Sequence, residues 1–174
     1  MTEIRTRHHA RTTESDHADF QARLDMGRLG RQRIDVQQAP LVIDPDPAVR
    51  DGRARAIHEA ERGADATFGA LNLLTIPENL ALAELFGVGR GCFGHACDRD
   101  GRIARAVGGS CLIDEITEAS EDMVRRLTRY VTTGIIFKIG SERPERCDTR
   151  IILGAAERGP ALDAIGNRLH ARVV

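Results

Sequence analysis

An α+β fold of two similar halves packed as one domain is what this sequence predicts, and three observations carry the prediction. Both halves show stretches of two-residue alternation, then a helix-like stretch, then a further strand and helix, in the same order. The chain has 174 residues, the size of one domain, with 41% hydrophobic and 29% charged residues. A half with one apolar sheet face needs a cover, and two such halves cover each other. The expected organisation is a single domain over residues 1–174, with pseudo-repeat halves at about 3–87 and 88–170.

The first half begins with weak alternation over residues 3–11 and clean alternation over 18–25, where Ala18, Phe20, Ala22 and Leu24 share one side. Residues 27–30 turn the chain, and Ile34 and Val36 mark a third strand. Asp46 is a helix N-cap with Pro47 at the first helical position, and Gly63 ends that helix. Residues 64–70 alternate again. A helix capped near Thr75 then runs to Phe86 and stops at Gly87.

In the second half, Phe93, His95 and Cys97 share a strand face, residues 98–101 turn, and 102–107 return as a strand. Cys111 to Ile113 form a short third strand. Ser120 or Thr117 caps a long helix with Met123, Leu127, Tyr130 and Val131 on one face, and Gly134 stops it. Ile135, Phe137 and Ile139 form a strand. Asp148 caps a last helical region, which Gly159 and Pro160 break, so that a short helix runs from Pro160 to about Leu169.

Composition narrows the function. The net charge is −1, which provides no overall attraction to nucleic acid or anionic membrane. Trp is absent and Tyr130 is the single Tyr, so base stacking on aromatics is not expected. No run is long and apolar enough to span a membrane, and four Cys in a chain of this length read as reduced thiols in a cytoplasm. The expected partners therefore include no nucleic acid and no membrane.

Three local patterns invite chemistry. Residues 89–94, Gly-Arg-Gly-Cys-Phe-Gly, fit G-x-G-x-x-G, but a helix precedes them and strand-like alternation follows, the reverse of a dinucleotide site. Cys92, His95 and Cys97 lack the doubled pairs of a structural zinc site, and buried Cys acting as small hydrophobes is the simpler reading. The stretch 7–11, Arg-His-His-Ala-Arg, reads as a solvated or frayed strand.

Several stretches together resemble imidazoleglycerol-phosphate dehydratases of histidine biosynthesis. They are "ARTTES" (10–15), "LDMGRLGRQRID" (24–35), "FGHACDRDGRIAR" (93–105) and "SEDMVRRLTRYVTTGIIFKI" (120–139). The resemblance implies a ribosomal protein S5 domain 2-like fold. It also implies that manganese ligands should stand where this chain has Leu73, Leu74, Pro45, Ile151 and Lys138, with Ala155 in place of a phosphate-binding Lys. Leu and Pro offer no lone pair, and Lys sets a positive charge against a cation. On this resemblance Glu14 and Asp100 are expected in catalysis and Arg90 and Glu78 in ligand binding, with no metal and no cofactor; His95 joins the catalytic candidates from its place beside Cys97 on one strand face.

The expected function is thus a divergent dehydratase-like protein with its manganese sites lost, a homo-oligomer in a binding or assembly role or with altered chemistry, taking a small phosphorylated ligand. One alternative is a genuine dehydratase, a lyase holding manganese. The other is a thiol-dependent enzyme using Cys97 or Cys147 with His95.

Overall fold

The computed structural model describes residues 38–90 and 98–174. Every described residue lies in one compact unit, Ile34–Val174. It runs β1 (Pro40–Ile43), α1 (Pro47–Arg62), β2 (Phe68–Asn72), a 3-10 turn (Leu73–Thr75), α2 (Glu78–Phe86), β3 (Gly87–Val88), β4 (Arg99–Asp100), α3 (Arg102–Arg105) and β5 (Ser110–Asp114). A second 3-10 turn (Ile116–Glu118) leads to α4 (Glu121–Thr133), β6 (Ile135–Phe137), β7 (Pro144–Arg146), β8 (Arg150–Ala155), α5 (Pro160–Arg168) and β9 (Arg172–Val173).

Five strands form one parallel sheet in the order β2-β5-β8-β1-β9. Parallel neighbours need long crossovers, and helices supply them. The two faces are covered by different helices. Val42, Leu112 and Ile152 pack with Ala54 and Ile57 of α1. Their strand neighbours Leu41, Ile113 and Leu153 join the larger cluster with Leu85 of α2, Leu127 and Tyr130 of α4 and Leu162 of α5. Successive side chains of β1, β5 and β8 thus enter opposite cores, which is why these strands are continuous apolar runs.

Helix ends follow local rules. The Asp46 side chain accepts from the Ala48 N–H, Pro47 opens α1, and Gly63 closes it at φ 88°. The Ser120 hydroxyl accepts from the Met123 N–H at the start of α4, and Gly134 ends it in the left-handed region.

The expected pair of similar α+β halves, in a ribosomal protein S5 domain 2-like arrangement, does not form; a single parallel α/β sheet takes its place. Two elements account for the difference. Residues 102–107, expected as a strand, contain the short helix α3, while the expected helical region after Asp148 contains β8, an inner strand of the sheet. An apolar run buried on both faces carries no two-residue alternation, so alternation was the wrong test for β1, β5 and β8. The alternating stretches at 3–11, 18–25 and 34–36 lie outside the described residues. The break at Gly159 and the helix from Pro160 are present. Leu73 is buried at 7% exposure, but Leu74 is 64% exposed, so the two Leu of one turn do not share an environment.

Two thiols belong to the core. Burial pushes the Cys111 thiol up to about 12 and the Cys147 thiol up to about 11, the latter helped by the nearby Glu145 and Asp100 carboxylates. A nucleophilic Cys needs a lowered pKa and access, so Cys147 does not suit the thiol-enzyme alternative. Cys97 and His95 lie outside the described residues.

Ile152→Ala should lower unfolding free energy by about 2–5 kcal/mol in urea titrations. Leu74→Ala should shift it by less than about 0.5 kcal/mol. Similar losses for both would contradict a sheet buried on both faces. Iodoacetamide should leave Cys111 and Cys147 unmodified in the folded protein under conditions that label both after denaturation, read by peptide mass spectrometry; rapid labelling of either in the folded state would contradict their burial.

Candidate functional site

In an open parallel sheet, ligands bind beyond the carboxyl ends of the strands, where loops and helix N-termini converge. Here that end is formed by the loop from β1 into α1 and by the last residues of β5 and β8. An ion cluster fills it. Arg50, one turn into α1, is 1% exposed. Its Nε donates to Asp114 Oδ1 at 2.7 Å, and its Nη2 donates to Asp114 Oδ2 at 3.0 Å and to Glu115 Oε1 at 2.5 Å. Its Nη1 donates to the Asp44 carbonyl at 2.6 Å and reaches the Pro45 carbonyl at 3.5 Å. A guanidinium has five N–H donors, and five contacts receive them.

The surroundings are shaped to this cluster. Asn72 Nδ2 donates to Asp114 Oδ2 at 3.1 Å from the end of β2. On β8, a Cβ at Gly154 would collide with Asp114 Oδ1, so the strand between β1 and β5 leaves room for the carboxylate. Glu115 sits at φ 55° and ψ 51°, a left-handed conformation uncommon for a non-glycine residue. Consecutive strand residues point to opposite faces. This twist lets both Asp114 and Glu115 meet one guanidinium, at a backbone cost of order 1–3 kcal/mol. The hydrogen bond with Asp114 first, and the charges of Asp114 and Glu115 against the opposing effect of burial, hold Arg50 above its ordinary pKa.

The strand–loop–helix geometry at β1 and α1 is where nucleotide-binding folds place a phosphate loop, Gly-x-x-x-x-Gly-Lys-Ser/Thr, whose free N–H groups cradle phosphate. Residues 44–51 here read Asp-Pro-Asp-Pro-Ala-Val-Arg-Asp. No glycine is present, and Pro45 and Pro47 have no N–H. The Asp44 N–H goes to the Ala155 carbonyl, the Asp46 N–H to the Asp44 carboxylate and the Ala48 N–H to the Asp46 carboxylate. Two carboxylates therefore stand where an anion would have to approach. These residues do not fit the phosphates of a nucleotide.

The residues expected from the sequence to act lie elsewhere. Glu14 and His95 fall outside the described residues. Glu78 is exposed at the first position of α2, and Arg90 is exposed after β3. Asp100, also exposed, pairs with Lys138 Nζ at 2.7 Å; Asp98 and Glu145 join at 2.8 and 3.3 Å. The hydrogen bonds to Asp100 and Asp98 raise the Lys138 pKa, so Lys138 is a largely buried counter-charge for three carboxylates. Among the described residues, neither Glu78, Arg90 nor Asp100 is a hydrogen-bond partner of Arg50. A second cleft, about 300 Å³, opens at the amino end of the sheet beside Tyr130 and Cys147, but two of its cations are already engaged, Arg62 with Asp148 and Arg150 with Glu61. Arg50, Asp114, Glu115 and Asn72 were not singled out from the sequence. The signal was there in two apolar runs, 41–43 and 111–113, each leading directly into acids.

Comparison with known proteins agrees with the parallel sheet. The chain is 40% identical over 108 residues to the regulatory protein LuxO of Vibrio vulnificus, covering 62% of this chain and 24% of that protein. It is 36% identical over 128 residues to the DNA-binding transcriptional regulator NtrC of Escherichia coli, covering 73% of this chain and 26% of that protein. The chain thus spans about a quarter of the length of the curated relatives it matches. Among solved structures, NtrX of Brucella abortus in complex with ADP superposes with a TM-score of 0.67 at 23% identity, over 94% of this chain and 36% of that one. Hsp104 in a closed state superposes at 0.55 and 14% identity, over 93% of this chain and 34% of that one.

These findings overturn the dehydratase resemblance, and with it the lyase and histidine-biosynthesis reading. The stretches behind that resemblance, 10–15, 24–35, 93–105 and 120–139, matched in order and pattern without the dehydratase family's ligand residues. With the dehydratase resemblance overturned, nothing implies manganese ligands at the positions of Leu73 and Leu74. The expectation of no nucleic-acid partner is likewise at odds with the likeness to NtrC, a DNA-binding transcriptional regulator. Residues 33–164 match the sigma-54 interaction domain, and the chain belongs to that family.

Proposed function

We propose that this chain is a regulatory module of sigma-54-dependent transcription, in the cytoplasm, which acts by contact with the transcription machinery and does not drive it by nucleotide hydrolysis. The family match supports the first part, since its members are defined by interaction with sigma-54. The observation that carries the second is the Arg50 cluster, which fills the carboxyl end of the sheet with the chain's own charges. Positioning and charge stabilisation by a phosphate loop are the protein's main contributions to phosphoryl transfer, and this loop has neither glycines nor free N–H groups at residues 44, 46 and 48. Among the described residues, no helix is long and apolar enough to cross a membrane, which is compatible with this placement.

Purified sigma-54 titrated onto the immobilised chain should give saturable binding that is the same with and without Mg²⁺-ATP. Phosphate release from ATP should not exceed a protein-free blank. Binding that requires ATP, turnover above the blank, or no binding at any concentration of sigma-54 would each overturn the proposal.

A further inference from the structure

We infer that Arg50 is a built-in counter-ion that takes over the structural role of a bound ligand at the carboxyl end of the sheet, so that β1, α1 and β5 are held together by the chain itself and do not respond to nucleotide. This rests on the reading of the domain as one that turns over no nucleotide, and adds what stands in the nucleotide's place.

The position of Arg50 supports this. Asp114 is 64 residues away in sequence and ends β5, which is separated from β1 by β8. One guanidinium therefore spans three strands, from the Asp44 carbonyl after β1 to the two acids at the end of β5. Groups at these strand ends that would otherwise face a ligand face Arg50 instead. The fork of the guanidinium matches the Asp114 carboxylate with two bonds, a geometry that a Lys could not supply.

The neighbours also fit a permanent occupant. Gly154 leaves the space that the Asp114 carboxylate takes, and the left-handed Glu115 brings a second carboxylate to the same cation. With Arg50 in place, Asp114 and Glu115 are neutralised in part by a buried charge that cannot dissociate. Without it, two largely buried carboxylates would face each other beside Asp44. Breaking such a cluster from one side is strongly destabilising, whereas replacing all members by neutral groups is far less so. That asymmetry separates a counter-ion from an ordinary packed side chain.

Thermal unfolding of the whole chain reads this directly. Arg50→Met should lower the melting temperature by about 10 °C. The triple variant Arg50→Met with Asp114→Asn and Glu115→Gln should regain at least half of that loss, and it keeps the test open if Arg50→Met alone does not fold. Wild type should melt at the same temperature with and without millimolar Mg²⁺-ATP or Mg²⁺-ADP. A saturable rise with either nucleotide would overturn the inference. So would an Arg50→Met variant as stable as wild type, or a triple variant no more stable than the single one. None of these readouts involves sigma-54, so failure of the sigma-54 contact and failure of the counter-ion role remain distinguishable.

Discussion

A guanidinium buried at 1% exposure is tolerated only when its charge is balanced and its donors are engaged, and much of this structure is arranged around meeting that requirement at Arg50. Asp114 and Glu115 supply the charge, and the Asp44 carbonyl supplies a further acceptor. The requirement reaches further than the contacts themselves. It bears on the glycine at 154, the uncommon backbone of Glu115 and the Asn at the end of β2 that shares Asp114. Four strands of the sheet thus have a stake in one side chain. The sheet is held along its length by apolar burial on two faces, and at its carboxyl end by a charge cluster.

The other ion pairs differ in kind. Glu84 is drawn below the ordinary carboxylate range first by Arg99, with Arg102 and Arg105 adding their charge, but Arg99 and Arg105 are about half exposed. Exposed pairs of this sort contribute little, because water and salt screen them. Lys138 is the closer parallel to Arg50, a largely buried cation facing three carboxylates. Its acids, however, lie on short β4, on the segment before it and on β7, and two of them are well exposed. It ties peripheral pieces together and leaves the ligand end of the sheet untouched.

The scaffold and its local chemistry point in different directions, since a parallel α/β sheet offers the loop after β1 for phosphate and the residues here do not fit one. The five-stranded parallel sheet and its helices are what this chain shares with sigma-54 interaction domains. Pro45, Pro47, Asp44 and Asp46 are what it does with the loop that such a scaffold offers for phosphate. Each of the two Asp side chains takes a backbone N–H for itself, which converts an anion-attracting helix start into a self-satisfied one.

Local chemistry was legible in the sequence wherever it acts over a few residues. Asp46 with Pro47, Ser120, Gly134 and the break at Gly159 mark helix ends, and they do so because capping and ring closure depend on neighbours in the chain. The inner strands were not legible as such. Val42, Leu112 and Ile152 face one core while the residues beside them face another, so the alternation that betrays a half-exposed strand is missing. The site was hidden for a related reason. Arg50, Asp114 and Glu115 read singly as ordinary surface charges, and nothing local distinguishes them. Only the parallel order of β1, β8 and β5, set by burial between separate layers of helices, brings a residue of α1 against acids 64 and 65 positions away and excludes the water that would have made their meeting inconsequential.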